Sequence, residues 1–439
     1  MLLIKFVKFE KLSLNFFYFQ IVIVLLRCFF KIRRFFDNYF NNLMRFNRLK
    51  DNVVTNKNVI LRVDINVPVK NGRVSDDSRI KAIIPTLQYL LKNNAKVILI
   101  SHFGRPKDKK NPEMSLLQVK PYIEKLLGKK INFIDDCIGQ KVAEEISKTN
   151  YGEVILLENL RFYAGETKSD ENFAQQLASF GNLYVNDAFS CSHRAHASIV
   201  GVAKILKNCA GFLLEKELDN LNNLVANPQK PLLAIVGGSK ISTKIDLINS
   251  LIKKSDAILI AGAMANTFLY AQGFKVGKSL YEEEFKNLSL EILENAKKHN
   301  CQIILPKDVV VTKKLEANQP TKNVGLNEVE EDDIIADIGS KTIEDLSLEI
   351  SKFKTVIWNG PLGAFEINPF DEATNNLAKI IANNTKEKNL ISVAGGGDVV
   401  CALNQANLAE DFSYISTAGG AFLEWLEGKS LPGVEILEK

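Results

Sequence analysis

Short apolar runs alternate with longer amphipathic stretches from residue 57 onward. The first runs are NVILRVDINV (58–67), AKVILISHF (95–103), NFI (132–134), EVILLENL (153–160) and LYVNDAF (183–189). Between the first two lies SRIKAIIPTLQYLLKN (78–93), in which apolar residues recur at three- and four-residue spacing and form one helical face. Buried strands that alternate with amphipathic helices predict a parallel sheet with crossover helices.

A second series of the same kind begins near residue 231. Its apolar runs are PLLAIVGG (231–238), AILIAGAMA (257–265), QIILPKDVVV (302–311), TVIWNGP (355–361), LISVAGGGD (390–398) and YISTAGG (414–420). The two series are separated by the amphipathic segment GFLLEKELDNLNNLVANPQKP, whose two prolines cannot continue a helix. We therefore predict an α/β protein with two Rossmann-like parallel-sheet domains joined by an interdomain helix.

The charge distribution narrows the choice of partners. The chain of 439 residues has a net charge of +5, and all of this excess lies in residues 1–43, where seven basic side chains stand against two acidic ones. The remainder is neutral, which argues against a nucleic-acid partner, because such proteins usually carry a basic stripe. The six cysteines form no CxxC pair, which favours reduced thiols and a cytoplasmic location.

Residues 1–43 differ in composition from the rest of the chain and contain ten of its 26 phenylalanines. The apolar run 16–26 ends at Arg27, whereas a membrane-spanning helix needs about 20 apolar residues. A membrane-surface anchor or an organelle-targeting segment remains open. Our preferred interpretation is that Met44 is the true start, with no stable membrane association.

The residues that follow the strands indicate where ligands bind, because ligands of parallel α/β sheets bind beyond the carboxyl ends of the strands. In the first half, Arg79 enters the first helix, and the strand ends supply Asp64, Asn66, His102, Arg105, Glu158, Arg161, His193 and Arg194. The planar guanidinium of arginine matches the oxygens of carboxylates and phosphates. A small phosphorylated acid is the ligand that this set favours.

The stretch FSCSHRAHAS (189–198) admits other interpretations. A zinc site from Cys191, His193 and His196 lacks a fourth ligand. Cys191 as a nucleophile with His193 as its base lacks a recognisable oxyanion hole. Histidines that only satisfy local hydrogen bonds are a further alternative to anion binding.

Glycines dominate the strand ends of the second half and indicate a nucleotide site. No GxGxxG motif occurs, and GFKVGKS (273–279) has only three residues between its glycines, so it is not a P-loop. VGGSKISTKIDLI instead predicts a helix that carries Lys240 and Lys244 on one face. AGGGDVV places three glycines before a helix whose free N–H groups attract phosphate, and Asp398 is a candidate Mg²⁺ ligand.

Together these segments resemble the phosphoglycerate kinase family. The motifs LRVDINVPV, SHFGRP, LLENLRFYAGE, YVNDAFSCSHRAHAS, GGSKISTKI, MANTFL, WNGPLGAFE, AGGGD and LEWLEGKSLPGVEIL occur in the family's order and cover residues 44–439. The resemblance implies reversible phosphoryl transfer from 1,3-bisphosphoglycerate to ADP, giving ATP and 3-phosphoglycerate in glycolysis and gluconeogenesis, with Mg²⁺ accompanying the nucleotide. It also implies a hinge-bending monomer.

The same resemblance implies domain boundaries and site residues. The phosphoglycerate domain would span 44–210, the interdomain helix 211–227, the nucleotide domain 228–425, and a tail that packs on the first domain 426–439. Substrate-binding residues would be Asp64, Asn66, Arg79, His102, Arg105, Arg161, His193 and Arg194. Nucleotide-binding residues would be Lys240, Lys244, Gly262, Glu366, Gly395, Gly396, Gly397, Asp398 and Val399, with Asp398 as the metal ligand. Catalytic residues would be Arg79, Lys240, Gly396 and Gly419.

Three positions depart from the family pattern. Val399 stands where the family usually has Ser or Thr, Ala418 where the first glycine of STGGGA is usual, and Ala261 where glycine is common. These departures keep open a catalytically silent protein that only binds ligands. A surface-tethered form that uses residues 1–43 as its anchor is the other alternative.

Overall fold

The computed structural model describes residues 46–70, 72–416 and 418–438. The chain separates into two units, Met1–Arg45 and Phe46–Lys439. The anchor, targeting and Met44-start interpretations of residues 1–43 therefore fall outside the described residues. In the part of the chain that is described, no helix is both long enough and apolar enough to cross a membrane.

The first half of the unit Phe46–Lys439, which we call the amino lobe, is built around a six-stranded parallel sheet. Its strands and a small hairpin are β1 (Asn58–Val63), β2 (Val69–Lys70), β3 (Arg73–Val74), β4 (Lys96–Ile100), β5 (Asn132–Ile134), β6 (Val154–Leu157), β7 (Leu183–Asp187) and β8 (Asn208–Ala210). The sheet order is β5-β6-β4-β1-β7-β8, and β2 pairs with β3. The central strands are mostly apolar because helices cover both faces of the sheet.

The helices of the amino lobe are α1 (Ser78–Lys92), α2 (Lys120–Leu127), α3 (Gln140–Lys148), α4 (Ala164–Thr167), α5 (Glu171–Ala178) and α6 (Val202–Ile205). The apolar face predicted for residues 78–93 is buried on α1, where Ile80, Ile83, Leu87 and Leu90 are all inaccessible to solvent. The connection to the second half is α7 (Phe212–Asn220), which continues as a π-helix over Leu221–Ala226.

The second half, which we call the carboxy lobe, contains a second six-stranded parallel sheet and a smaller antiparallel one. The strands are β9 (Leu232–Val236), β10 (Ala257–Ile260), β11 (Gln302–Ile304), β12 (Asp308–Thr312), β13 (Lys322–Gly325), β14 (Ile334–Ile338), β15 (Thr355–Asn359), β16 (Ile391–Gly395) and β17 (Tyr414–Ser416). The parallel order is β11-β10-β9-β15-β16-β17, and the antiparallel order is β13-β12-β14. The predicted fold class of two Rossmann-like domains is confirmed.

The helices of the carboxy lobe are α8 (Ile245–Ile252), α9 (Ala263–Ala271), α10 (Lys286–Lys298), α11 (Ser340–Glu349), α12 (Glu372–Lys386), α13 (Gly397–Gln405), α14 (Gly420–Leu426) and α15 (Pro432–Glu435). The last of them contacts the amino lobe. The Gly433 N–H donates to the Ser192 carbonyl at 2.8 Å, and Asn186 Nδ2 donates to the Gly433 carbonyl at 3.1 Å.

One predicted strand was wrong. Residues 302–311 form two strands rather than one, because β11 belongs to the parallel sheet and β12 to the antiparallel sheet. Pro306 lies between them, and proline has no N–H to donate to a sheet ladder. The antiparallel sheet is therefore a component of the carboxy lobe that the alternating pattern did not predict.

Asp187, the last residue of β7, caps the helix that joins the lobes. Its Oδ1 accepts the backbone N–H groups of Leu213 and Leu214 at 2.8 and 3.0 Å, in the first turn of α7. A Cβ at position 211 would lie 2.3 Å from the same oxygen, so Gly211 allows this close approach. The start of α7 is thus fixed to the end of an amino-lobe strand.

We expect Asp187→Asn to weaken the pH dependence of the free energy of unfolding. Burial raises the pKa of Asp187 from 3.8 to about 6. The folded protein therefore retains a proton that the unfolded chain has released, and this contribution to stability is lost as pH rises from about 4 to 6. The loss amounts to about 3 kcal/mol. Urea unfolding on either side of this pH range measures it, and an equal pH dependence in both proteins would contradict the assignment.

Candidate functional site

The predicted anion-binding residues follow four strands that are neighbours in the amino-lobe sheet. They come after β6, β4, β1 and β7, in the order in which these strands lie side by side. Arg79, in the first turn of α1, reaches back to the end of β1, where its Nη1 donates to Asp64 Oδ2 at 2.8 Å and to the Asn66 carbonyl at 3.1 Å. Its side chain remains 38% exposed, so the other N–H groups of the guanidinium are available to a ligand.

Asp64 and His102 form a buried pair whose charge states differ. Burial raises the pKa of the Asp64 carboxyl, but the positive charge of Arg79 and hydrogen bonds from Ser190 and from the Asn66 N–H outweigh it, so the pKa lies below 3.8. Burial lowers the pKa of His102 well below 6.5, and the positive charge of Arg62 lowers it further, against the opposing effect of Asp64. At neutral pH Asp64 is therefore ionised and His102 neutral.

Arg161 carries a buried N–H group that fits an anionic ligand. Arg161 Nη1 donates to the Gly104 carbonyl at 2.8 Å, while its Nε has no partner within the described part of the chain. Arg194 Nε donates to His193 Nε2 at 3.0 Å, and burial together with the charge of Arg194 lowers the pKa of His193. Because buried polar groups usually have partners, the Nε donor of Arg161 marks a place where a carboxylate or phosphate oxygen fits.

The carboxy lobe approaches the same pocket through α14. A Cβ at position 420 would lie 3.6 Å from Nε2 of His193, so the start of this helix is in contact with the amino lobe. Gly419, predicted to be catalytic, immediately precedes that helix and has a φ of +44°. Arg105 is exposed in the loop after β4. The pocket thus lies where the two lobes meet.

The zinc and nucleophile interpretations of residues 189–198 are not supported. Cys191 Sγ lies 3.9 Å from His102 Nδ1, whereas His196 Nδ1 lies 3.7 Å from the Glu166 carboxylate and His193 pairs with Arg194. The three predicted ligands therefore face different partners. Burial raises the pKa of the Cys191 thiol, which disfavours the nucleophilic thiolate.

A different group, Asp64, His102 and Cys191, has ligand atoms within 4.8 Å of one another. Positive charges already surround it. The Arg79 guanidinium is hydrogen-bonded to Asp64, and Arg62 Nη2 lies 3.4 Å from His102 Nδ1. A cation there would face two fixed guanidinium groups, so the chemistry of the pocket favours anions.

A cavity of about 320 Å³ opens at the strand ends of the carboxy lobe. Its wall is mostly apolar and includes Leu280, Val309, Leu315, Ile334, Ile335 and residues 361–366. Of the predicted nucleotide-binding residues, the lining includes Gly262, Glu366 and Asp398. An apolar cavity with a few polar groups at its edge is suited to a nucleotide base and ribose.

The glycines at these strand ends permit contacts between backbones that no other residue would allow. A Cβ at position 237 would lie 1.9 Å from the Pro361 carbonyl oxygen. Gly262 has a φ of +70°, and a Cβ there would lie 2.6 Å from the Gly238 carbonyl oxygen. A side chain at either position would collide with the backbone of the neighbouring segment and push the two segments apart.

The predicted helix that carries both lysines on one face was wrong. Lys240 is in an extended conformation before a 3₁₀ turn, Ile241–Thr243, and α8 begins only at Ile245. Lys244 Nζ donates to Asn359 Oδ1, and burial lowers its pKa although Asp398 opposes this. Lys240 is exposed and is not part of the cavity lining.

The triple glycine begins α13, and its members have different environments. Gly395 packs against Phe422, Gly396 has a φ of +110°, and Gly397 is exposed. Asp398 is also exposed at the cavity, where its carboxylate fits a hard cation such as Mg²⁺. The Val399 side chain is fully buried in the core, so only its backbone N–H is available to a nucleotide.

Gly396→Ala is expected to destabilise the protein by about 1–3 kcal/mol, whereas Gly397→Ala should not. A Cβ at position 396 would lie 2.5 Å from Asn359 Nδ2, and the positive φ adds strain. A Cβ at position 397 meets nothing within 4 Å. Chemical unfolding of both variants measures the difference, and equal stabilities would contradict this description of the turn.

Comparison with known proteins places the chain in a family. The family model described as phosphoglycerate kinase matches residues 49–429. The chain belongs to the phosphoglycerate kinase family. The phosphoglycerate kinase of a Chelativorans species is 50% identical over 391 residues, covering 89% of this chain and 98% of that protein. That of Zymomonas mobilis is 51% identical over 385 residues, covering 88% of this chain and 97% of that protein.

Solved phosphoglycerate kinase structures agree with this assignment. The structure from Coxiella burnetii has a TM-score of 0.81 at 40% identity, and the one from Pyrococcus horikoshii has a TM-score of 0.77 at 30% identity. Each comparison covers 89% of this chain and 98% of the other. The two-lobed architecture is therefore the one found in solved phosphoglycerate kinases.

Two residues near the candidate site were not predicted. Arg62 in β1 is fully buried and donates from Nε to Ser198 Oγ at 2.9 Å, behind His102. Asn359 links Lys244 to the Gly395 carbonyl. For Arg62 the sequence carried a signal, since an arginine within an apolar strand needs a buried partner, but it did not identify that partner.

Proposed function

We propose that the chain catalyses reversible phosphoryl transfer from 1,3-bisphosphoglycerate to ADP, giving ATP and 3-phosphoglycerate. This proposal rests on the presence of two candidate sites within the unit Phe46–Lys439. Arg79, Arg161 and Arg194 lie at neighbouring strand ends of the amino lobe, a glycine-bordered apolar cavity lies on the carboxy lobe, and the start of α14 contacts His193. The phosphorylated acid binds the first, and the nucleotide binds the second.

The reaction explains why a general base is not required. In the direction of ATP consumption the nucleophile is the carboxylate of 3-phosphoglycerate, which is ionised at neutral pH because such groups titrate near about 4. The reaction requires positive charge around the migrating group and an in-line arrangement of attacking and leaving oxygens. The neutral state of His102 and the ionised state of Asp64 accord with roles in binding rather than in proton transfer.

Each positive group has a distinct task in this proposal. Arg161 and Arg194 bind the acid, while Arg79, held by Asp64, faces the migrating phosphoryl group. Lys240, exposed on the loop after β9, and the N–H groups at the starts of α13 and α14 bind the same group from the carboxy lobe. Glu366, at the edge of the cavity, contacts the ribose.

Mg²⁺ accompanies the nucleotide, and Asp398 is the residue that would hold it. This carboxylate is exposed at the cavity and lies in the first turn of α13. When bound, the ion neutralises phosphate charge. Lys244, which donates a hydrogen bond to Asn359, contributes positive charge to the same region from the ends of β9 and β15.

The two lobes close around α7 to bring the substrates together and exclude water, which would otherwise hydrolyse the acyl phosphate. Because Asp187 fixes the start of α7 to the amino lobe, we expect the carboxy lobe to be the part that moves relative to this helix. Small-angle scattering should show a smaller radius of gyration with both ligands than with either alone. An unchanged radius would count against closure.

All residues proposed for the two sites belong to one chain, which supports a monomer, and the cysteines of the described residues are free, which supports a cytoplasmic location. An assay that supplies ATP and 3-phosphoglycerate and couples product formation to NADH oxidation tests the activity. We expect NADH oxidation that requires both substrates. Binding of both ligands without turnover would instead support the catalytically silent alternative.

A further inference from the structure

Asp337 occupies the wall between two cavities of the carboxy lobe. It is a buried residue of β14, only 3% exposed. On one side it lines the cavity of about 320 Å³, and on the other it lines a second cavity of about 570 Å³. No other ionisable side chain lines both of these cavities within the described part of the chain.

The carboxyl group connects β14 to the start of α12. Oδ1 accepts the Ile338 N–H at 2.9 Å, and Oδ2 accepts the Ala373 N–H, in the first turn of α12, at 2.9 Å. The acidic side chains of Asp371 and Glu372 lie at the same helix start and disfavour a negative charge on Asp337. Burial, with these two neighbours, raises the pKa of Asp337 to about 8 against the effect of the two N–H donors.

The loop formed by residues 361–366 packs directly on this carboxyl group. A Cβ at position 363 would lie 2.3 Å from Asp337 Oδ1, and the Ala364 N–H donates to the Ala336 carbonyl at 2.8 Å. On the same loop, the Leu362 carbonyl accepts the Gly262 N–H at 2.8 Å. All six residues from 361 to 366 line the smaller cavity, so the position of this loop sets the shape of that cavity.

We propose that Asp337 is a positioning residue for nucleotide binding, which holds the loop 361–366 and its Glu366 against the cavity. The proposal rests on the assignment of this cavity to the nucleotide. Removing the carboxyl group would leave the Ala373 N–H without its acceptor and open a gap beside Gly363. The loop would then shift, and a displacement of about 1 Å at a binding wall is enough to weaken a ligand substantially.

Asp308 provides a matched control. It is also a buried aspartate, 5% exposed, on the neighbouring strand β12, and it also accepts N–H groups at a helix start, those of Lys341 and Thr342 in α11. It lines neither cavity. Removing either carboxyl group should therefore cost stability, but only removal of Asp337 should affect the nucleotide.

The experiment compares Asp337→Ala with Asp308→Ala in the full chain. We expect the KM for ATP and the calorimetric Kd for ADP, with Mg²⁺ present, to rise about tenfold in Asp337→Ala, which corresponds to the loss of one good interaction. The KM for 3-phosphoglycerate should stay within about twofold, and Asp308→Ala should leave all three constants within about twofold.

Equal nucleotide constants in the two variants, or an equal rise in the KM for both substrates of Asp337→Ala, would overturn the proposal. If Asp337→Ala does not fold, Asp337→Ser replaces it, because a serine hydroxyl is too short to accept both the Ile338 and the Ala373 N–H groups. An unchanged Kd for ADP in that variant would overturn the proposal as well. Failure of the proposed function is separate. A wild-type protein that binds ADP but does not turn over would refute the activity and leave the Kd comparison decisive for Asp337.

Discussion

Replacing Arg79 with alanine is expected to lower kcat by about 10² to 10³, or roughly 3 to 4 kcal/mol of transition-state stabilisation. Arg79 is fixed by Asp64 and the Asn66 carbonyl, and its exposed N–H groups border the pocket. A preorganised cation of this kind stabilises charge on the migrating phosphoryl group without reorganisation during the reaction. Steady-state kinetics in the direction of ATP consumption measure the effect.

Two further variants give this experiment its control. Arg73→Ala removes an exposed arginine from β3 and should leave kcat unchanged. Arg79→Lys keeps the charge but not the planar fork, and should give an intermediate kcat. The assignment of Arg79 would be wrong if the alanine variant kept kcat within about threefold of the wild type.

Replacing Lys240 with alanine should lower kcat by a similar factor, about 10² to 10³. The reason differs, because Lys240 is exposed on the loop between β9 and α8 and is not fixed by a buried partner. In the proposed mechanism its long side chain meets the migrating group in the closed form, and we expect it to stabilise the transition state more than the bound substrates. The KM for both substrates should change far less than kcat.

Lys253→Ala is the matched control for Lys240→Ala. Lys253 is an exposed lysine at the opposite end of α8, so its removal changes the net charge of the lobe equally. We expect wild-type kinetics for it. A loss of kcat in both lysine variants would indicate a general charge effect rather than a catalytic contact.

The parallel strands were predictable because a strand that is buried on both faces is mostly apolar. β1, β4 and β9 are all of this kind, although β1 also contains the buried Arg62, and each lies within the run predicted for it. The boundary between β11 and β12 was not predictable from apolar content, since both strands are apolar and only the sheet partner differs. The helix predicted for Lys240 failed because a 3₁₀ turn and an α-helix share the same residue preferences over so few positions.

The site residues at strand ends could be predicted because the geometry of a parallel sheet brings those ends together. Arg161 and Arg194 are far apart in the chain, yet they follow β6 and β7 of one sheet. Residues that act through tertiary contacts could not be found in this way. Asn359 is hydrogen-bonded to Lys244 and Gly395, and Asp337 to Ala373. No local sequence pattern predicts these pairings.

A crystal structure of the protein with 3-phosphoglycerate, an unreactive ATP analogue and Mg²⁺ tests the central claim most directly. The account predicts the acid among Arg79, Arg161 and Arg194, the nucleotide base in the cavity bordered by Gly262 and Glu366, and the γ-phosphate facing the acid's carboxylate across the junction of the lobes. Both ligands on one lobe, or a nucleotide outside that cavity, would contradict it.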